Sequence, residues 1–201
     1  MSLLMYVQNE VPFSPPSIPW TETFTGDNGD PPDPDMWEIV DGSPEIQSNA
    51  LQMETTYERV KLKYNLSGDF DIRAPFSGAY HNINSWGYTL MAWSDSDNYI
   101  AEARHYNSST SRWASDLMEG GSYSWDGDVI GGVTTGTLRL TRVGSTVTSY
   151  YFSSGWVQQL SGNIGTNEVI VSLVVNRWGS YSGSHNNNWD NFIVNTGTWV
   201  V

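Results

Sequence analysis

Ten tryptophans and eleven tyrosines among 201 residues are the side chains with most to offer a ligand. Many fall in polar, glycine-rich stretches. Trp86 lies near the end of AYHNINSWG, Trp125 comes two residues after Tyr123 in GGSYSWDGD, and Trp178 opens the aromatic part of NRWGSYSGSHNNNW. Trp93 and Trp113 stand at the edges of apolar segments. Flat rings match the C–H faces of pyranose sugars, and the neighbouring asparagines would bond the hydroxyls. Loops held by a rigid scaffold are where binding groups collect, although most Trp of a small sandwich fill its core or rim. Glu102 and Arg104 share one face of the segment Tyr99–His105, about 7 Å apart. They would hold sugar hydroxyls by charge-assisted hydrogen bonds. The same pair also reads as an ordinary solvated strand face.

Hydrolysis of a glycan would need two carboxylates, about 5 Å apart for retention or about 6.5–9.5 Å for inversion. An E-x-D-x-E run would place such groups on one strand face, and the sequence contains none. Glu102 is flanked by Ala101 and Ala103, while Asp116, Glu119, Asp126 and Asp128 read as loop residues. No G-x-S-x-G is present, and the three histidines lack metal spacing. A catalytic role is therefore not expected. The stretch Gly26–Asp35 holds Asp27, Asn28, Asp30, Asp33 and Asp35. Oxygen ligands so concentrated suit calcium. The spacing is not that of an EF-hand, and turn chemistry explains the same residues.

These side chains sit in a chain of short apolar runs separated by small polar turns. Thr137–Leu160 is the clearest: Leu138, Leu140 and Arg142 alternate with Arg139, Thr141 and Val143, and a second run follows Gly144-Ser145. Period-two alternation across such a turn predicts a β-hairpin with one face buried. Strands are likewise expected at 20–24, 37–40, 50–53, 60–66, 70–76, 87–93, 98–106, 113–118 and 189–194, with Gly68-Asp69 turning the chain into the fifth of these. The run VIVSLVV (169–175) reads as a central strand buried on both sides. No long helical period and no fixed repeat appears, so the fold class is an all-β, two-sheet antiparallel sandwich or jelly roll.

The totals agree. Apolar residues are 38% of the chain, but aromatics reach 13%, enough to fill a core despite few aliphatics. Nine Lys and Arg against 22 Asp and Glu give a net charge of −13. That surface would repel nucleic-acid phosphates and anionic membranes, and it suits neutral glycans, cations or a basic partner. Without cysteine there is no disulfide and no thiolate site. No window approaches a membrane span. The first residues lack the pattern of a signal peptide, so work outside a cell would need another export route, lysis, or a leader already removed. Residues 1–19, with four prolines, read as an extended arm: a strap over the chain's own surface, or a docking arm for another subunit. Residues 20–201 read as one domain.

Several pieces in shared order resemble the concanavalin A-like lectin/glucanase superfamily (LamG-like jelly roll). They are Glu22-Thr23-Phe24 through Trp37, GDFDI (68–72), GYTLMAWSDSDNY (87–99), LRLTR (138–142) into Tyr150-Tyr151-Phe152, and WDNF (189–192). The resemblance implies two antiparallel sheets, one concave and carbohydrate-binding in many relatives. It implies a structural cation with the aspartate of the last strand, Asp190, as a ligand. The catalytic carboxylate run of the glucanases has no counterpart here. The expectation is a non-catalytic carbohydrate-binding or adhesion module, extracellular or on a virion surface, its arm docked to a capsid or tail protein of a phage. The alternatives are a structural or decoration protein without a glycan ligand, and a divergent glycoside hydrolase. The expected sugar-binding residues are Trp86, Trp93, Glu102, Arg104, Trp113, Trp125 and Trp178; those for calcium are Asp27, Asp30 and Asp190.

Overall fold

Alternating side chains commit about two thirds of the described residues to strands. The computed structural model describes residues 14–53, 57–79, 85–107, 110–177 and 187–201. Among them are sixteen strands and no helix. In chain order these are β1 (Trp20–Glu22), β2 (Trp37–Asp41), β3 (Glu45–Ile46), β4 (Leu51–Met53), β5 (Tyr57–Leu62), β6 (Asn65–Ser77), β7 (Ser85–Asp95) and β8 (Asn98–Asn107). Then follow β9 (Thr110–Glu119), β10 (Ser122–Ile130), β11 (Thr135–Val143), β12 (Thr146–Phe152), β13 (Trp156–Asn163), β14 (Ile170–Arg177), β15 (Asn187–Trp189) and β16 (Phe192–Val200).

Two antiparallel sheets result. One runs β13-β12-β11-β6-β15-β4-β3, with β16 also beside β6 and β1 beside β16. The other has seven strands in the order β10-β9-β8-β7-β14-β5-β2. The predicted hairpin is β11 and β12, joined through Gly144 at φ 61, and β13 extends it. The expected turn at Gly68-Asp69 is not a turn. β6 runs through it for 13 residues, and Gly68 takes φ 67 inside the strand. The bend at 63–64 instead carries the chain, without reversing it, from β5 of one sheet into β6 of the other. Pro75 sits mid-strand although it has no N–H to give. It is tolerated because the neighbouring lane is broken opposite it, between β15 and β16, where Asp190 donates its N–H to the Pro75 carbonyl (3.1 Å).

The inward residues of both sheets meet in one core, with Ile72, Leu138 and Leu140 facing Leu90, Ile100 and Leu173. Aromatic rings fill what aliphatics do not. Phe76 stacks on Tyr88 (4.3 Å between centroids), Trp113 stacks on Tyr151 (5.0 Å), and fully buried Trp189 meets Tyr88 edge-on. At the N-terminal side, Ile18 packs against this core and Trp199 Nε1 donates to the Pro16 carbonyl (2.7 Å).

Candidate functional site

The seven-stranded sheet presents its other face outward, and its register sets which side chains meet there. On β8 the outward residues are Tyr99, Ala101, Ala103 and His105. Ala101 lies opposite Asp116 of β9 and Met91 of β7. Small residues at the centre and larger ones around them leave a depression of about 360 Å³. Ala101 and Thr89 contribute to its floor, Tyr57, Tyr99 and Tyr123 to its aromatic lining, and Asp116, Arg59 and Asn176 its polar groups.

Asp116 is the one carboxylate among the described lining residues. Burial pushes its pKa up, while the Tyr123 hydroxyl, donating to Oδ1 at 2.6 Å, favours the charged form. Burial, and behind it the carboxylate, in turn hold the Tyr99 and Tyr123 hydroxyls above the usual tyrosine range. Further along the face, His105 is pushed down to about 4 by burial and by Arg112 and Arg104, so it is neutral at physiological pH. Two arginines lie over tryptophan rings of this face. Arg59 is 5.0 Å from the Trp93 ring centroid and reaches Ser172 Oγ through Nε (3.3 Å) and Nη2 (3.1 Å). Arg112 is 5.8 Å from that of Trp125 and donates to the Gly127 carbonyl (3.3 Å). Trp125 itself folds back over Gly127, where a Cβ would come within 2.9 Å of its ring.

Of the expected sugar-binding residues, Trp93 and Trp125 are on this face. Glu102, Arg104 and Trp113 are not: they point into the sandwich and are 0%, 1% and 3% exposed. The pairing of Glu102 with Arg104 on one strand face was legible, but that face is the inner one, because Ala101 and Ala103 occupy the outer. Glu102 accepts from Ser115 Oγ (2.8 Å), which in turn meets Ser149 Oγ; its Oε1 has no hydrogen-bond partner. Arg104 holds the carbonyls of Val133 and His105 and the Ser111 hydroxyl. Trp178 lies outside the described residues, as does the side chain of Trp86. Asp116, Tyr99, Tyr57 and Arg59 were not foreseen as site residues, and Asp116 is mid-strand rather than in a loop. Tyr123 and Trp125 are likewise in a strand, β10; the alternation Tyr123, Trp125, Gly127, Val129 was the signal for it.

The structure does not gather the residues expected to hold calcium, Asp27, Asp30 and Asp190, into one ligand group. Asp30 Oδ2 accepts the Asp27 N–H (3.1 Å) within a loop turn, and Asp190 marks the break between β15 and β16. Among the described residues no group of three or more His, Cys, Asp or Glu is placed to hold a metal ion.

No protein-family model matches the chain, and no curated protein matches it in sequence. Solved structures do match in shape. A pseudo β-1,3-glucanase and immunostimulatory antigen of Mycobacterium tuberculosis superposes with a TM-score of 0.64 at 13% identity, over 89% of this chain and 98% of that one. A β-1,3-glucanase of Mycobacterium marinum gives 0.60 at 12% identity, over 90% and 100%. The exoplasmic/lumenal domain of VIP36, in a Ca2+- and Man3GlcNAc-bound form, gives 0.57 at 14% identity, over 79% and 85%. At such identities the likeness shows the fold.

Proposed function

We propose that this chain, a sandwich of the concanavalin A-like fold, binds carbohydrate without cleaving it, in the depression on the outer face of the seven-stranded sheet. The observation that carries the reading is the lining of that depression: tyrosine rings beside an alanine floor, with one carboxylate, one guanidinium and one amide converging on it. A largely apolar recess with a few placed polar groups is the usual form of a small-ligand site. The glycan-bound and glucanase structures of this shape support the ligand class.

The hydrolase alternative draws on one feature, the raised pKa of Asp116, which a catalytic acid needs. Cleavage by acid and base would require a second carboxylate across the recess, and the described lining offers none. The other extension, display outside cells on a phage or virus particle with residues 1–19 as the docking arm, draws on the proline-rich arm and the acidic composition. Co-sedimentation of the chain with purified particles would test it.

The direct test is calorimetry of the full chain against oligosaccharides chosen from a glycan array, with Tyr99→Ala and Trp125→Ala beside it. Binding that weakens about tenfold in each variant, roughly 1.4 kcal/mol, with melting temperature retained, supports the reading. Silence across the array favours a structural or decoration protein. Release of reducing ends from a bound glycan overturns the non-catalytic part.

A further inference from the structure

The nine cations of this chain are outnumbered by 22 acids, so each would be expected to find a carboxylate. Most of those described are accounted for. Arg73 and Arg139 share Asp71 on the other sheet, and Lys61 pairs with Glu38 at 3.1 Å. Arg104 and Arg142 are buried on backbone carbonyls. Arg59 and Arg112 differ. Among the described residues neither meets a carboxylate; each is held instead by neutral acceptors and a tryptophan face.

Their placement is common to both. Arg59 is on β5 and Arg112 on β9, flanking β8 and its alanine floor. Four strand spacings, about 19 Å, separate their backbones. Fixing a guanidinium over a ring reduces the entropy lost when it later closes on an anion. The N–H groups not already given to Ser172 or to the Gly127 carbonyl are left to take an anion. Asp116 stands on β9, four residues along from Arg112, with its Oδ1 engaged by the Tyr123 hydroxyl (2.6 Å).

The chain's net charge of −13 opposes a polyanion at long range, so any attraction has to be local. We infer that the ligand of this face is an anionic polysaccharide, its sugar units bearing carboxylate or sulfate groups, laid across the strands so that these groups meet Arg59 and Arg112. The inference rests on the proposed glycan-binding reading and narrows it.

The experiment uses the full chain in affinity electrophoresis and calorimetry with four probes. Polygalacturonate is carboxylated, dextran sulfate is sulfated, laminarin is neutral, and a single-stranded oligonucleotide is anionic without being a polysaccharide. One of the first two should bind at least about tenfold more tightly than laminarin, and which of them does so identifies the anion. Arg59→Gln and Arg112→Gln should each narrow that ratio, and Arg59→Lys should narrow it less than Arg59→Gln. Laminarin bound as tightly as both charged glycans overturns the anionic class and leaves the glycan reading standing. An oligonucleotide bound as tightly as the charged glycans, or a ratio unmoved by either glutamine variant in a folded chain, also overturns it. No binding to any glycan removes both readings.

Discussion

Glu102 shows how far one side chain's setting departs from its type. It was expected to greet a sugar and is fully enclosed between the sheets. Burial drives its pKa well above the carboxylate value of 4.5, more than the Ser115 hydroxyl lowers it. Asp128 and Asp116 add repulsion in the same upward direction. The folded chain therefore holds this proton more tightly than the unfolded one. Its contribution to stability is full below about pH 4.5 and is lost as pH rises toward the folded pKa. Glu102→Gln, which keeps the shape without the charge, should escape that loss. Melting curves from pH 4 to 8 should show the variant gaining on the native chain, by up to about 1.4 kcal/mol per pH unit inside the window. Asp116 titrates in the same sense and is coupled to Glu102 by that repulsion, so the difference reports Glu102 together with its effect on Asp116. Parallel curves would mean that Glu102 ionises freely in the fold.

Strands were legible and their faces were not. Alternation in 137–152 names which residues share a side, and the structure keeps that grouping: Leu138, Leu140, Val147 and Tyr151 go inward. Arg142 shares the side and is buried too, because the carbonyls of Gly68 and Asn167 satisfy it there. Nothing local tells a strand which of its faces the second sheet will cover, so Glu102, Arg104 and Trp113 were assigned outward when the fold turns them in. Loop composition misled for β10, where Gly120-Gly121 and a polar run masked a period-two strand. Gly68 misled in the opposite sense, since a positive φ inside a strand looks like a turn in sequence. Glycine also marks where elements touch most closely. A Cβ on Gly136 of β11 would fall 2.4 Å from the Trp113 ring and about 3 Å from that of Phe76. Trp113 cannot yield, being stacked between Tyr151 and the edge of Phe76. Gly136→Ala should therefore cost about 1–3 kcal/mol through overpacking, and thermal unfolding should show a loss of several degrees. An unchanged melting temperature would mean that this corner of the core has slack.

At the scale of the whole molecule, the rhythm of strands and turns was enough to name a two-sheet sandwich. The depression was not legible, because its lining comes from β5, β7, β8, β9, β10 and β14, far apart in sequence. The limit of the folded body is a further matter of contact rather than composition. Prolines make 14–19 read as part of an extended arm, either a strap over the chain's own surface or a docking arm, and Trp199 Nε1 donates to the Pro16 carbonyl while Ile18 packs on the core beside it, as a strap would. Trp199 is itself one of an edge cluster with Trp20 and Tyr64. Two chains, one starting at Ser14 and one at Trp20, isolate what these six residues add. Losing the indole's partner costs about 1 kcal/mol, and losing the Ile18 contact costs about 1–2 kcal/mol. At roughly 2–4 °C per kcal/mol for a domain of this size, the shorter chain should melt about 4–12 °C lower. Equal melting temperatures would return 14–19 to the arm and place the edge of the sandwich at Trp20.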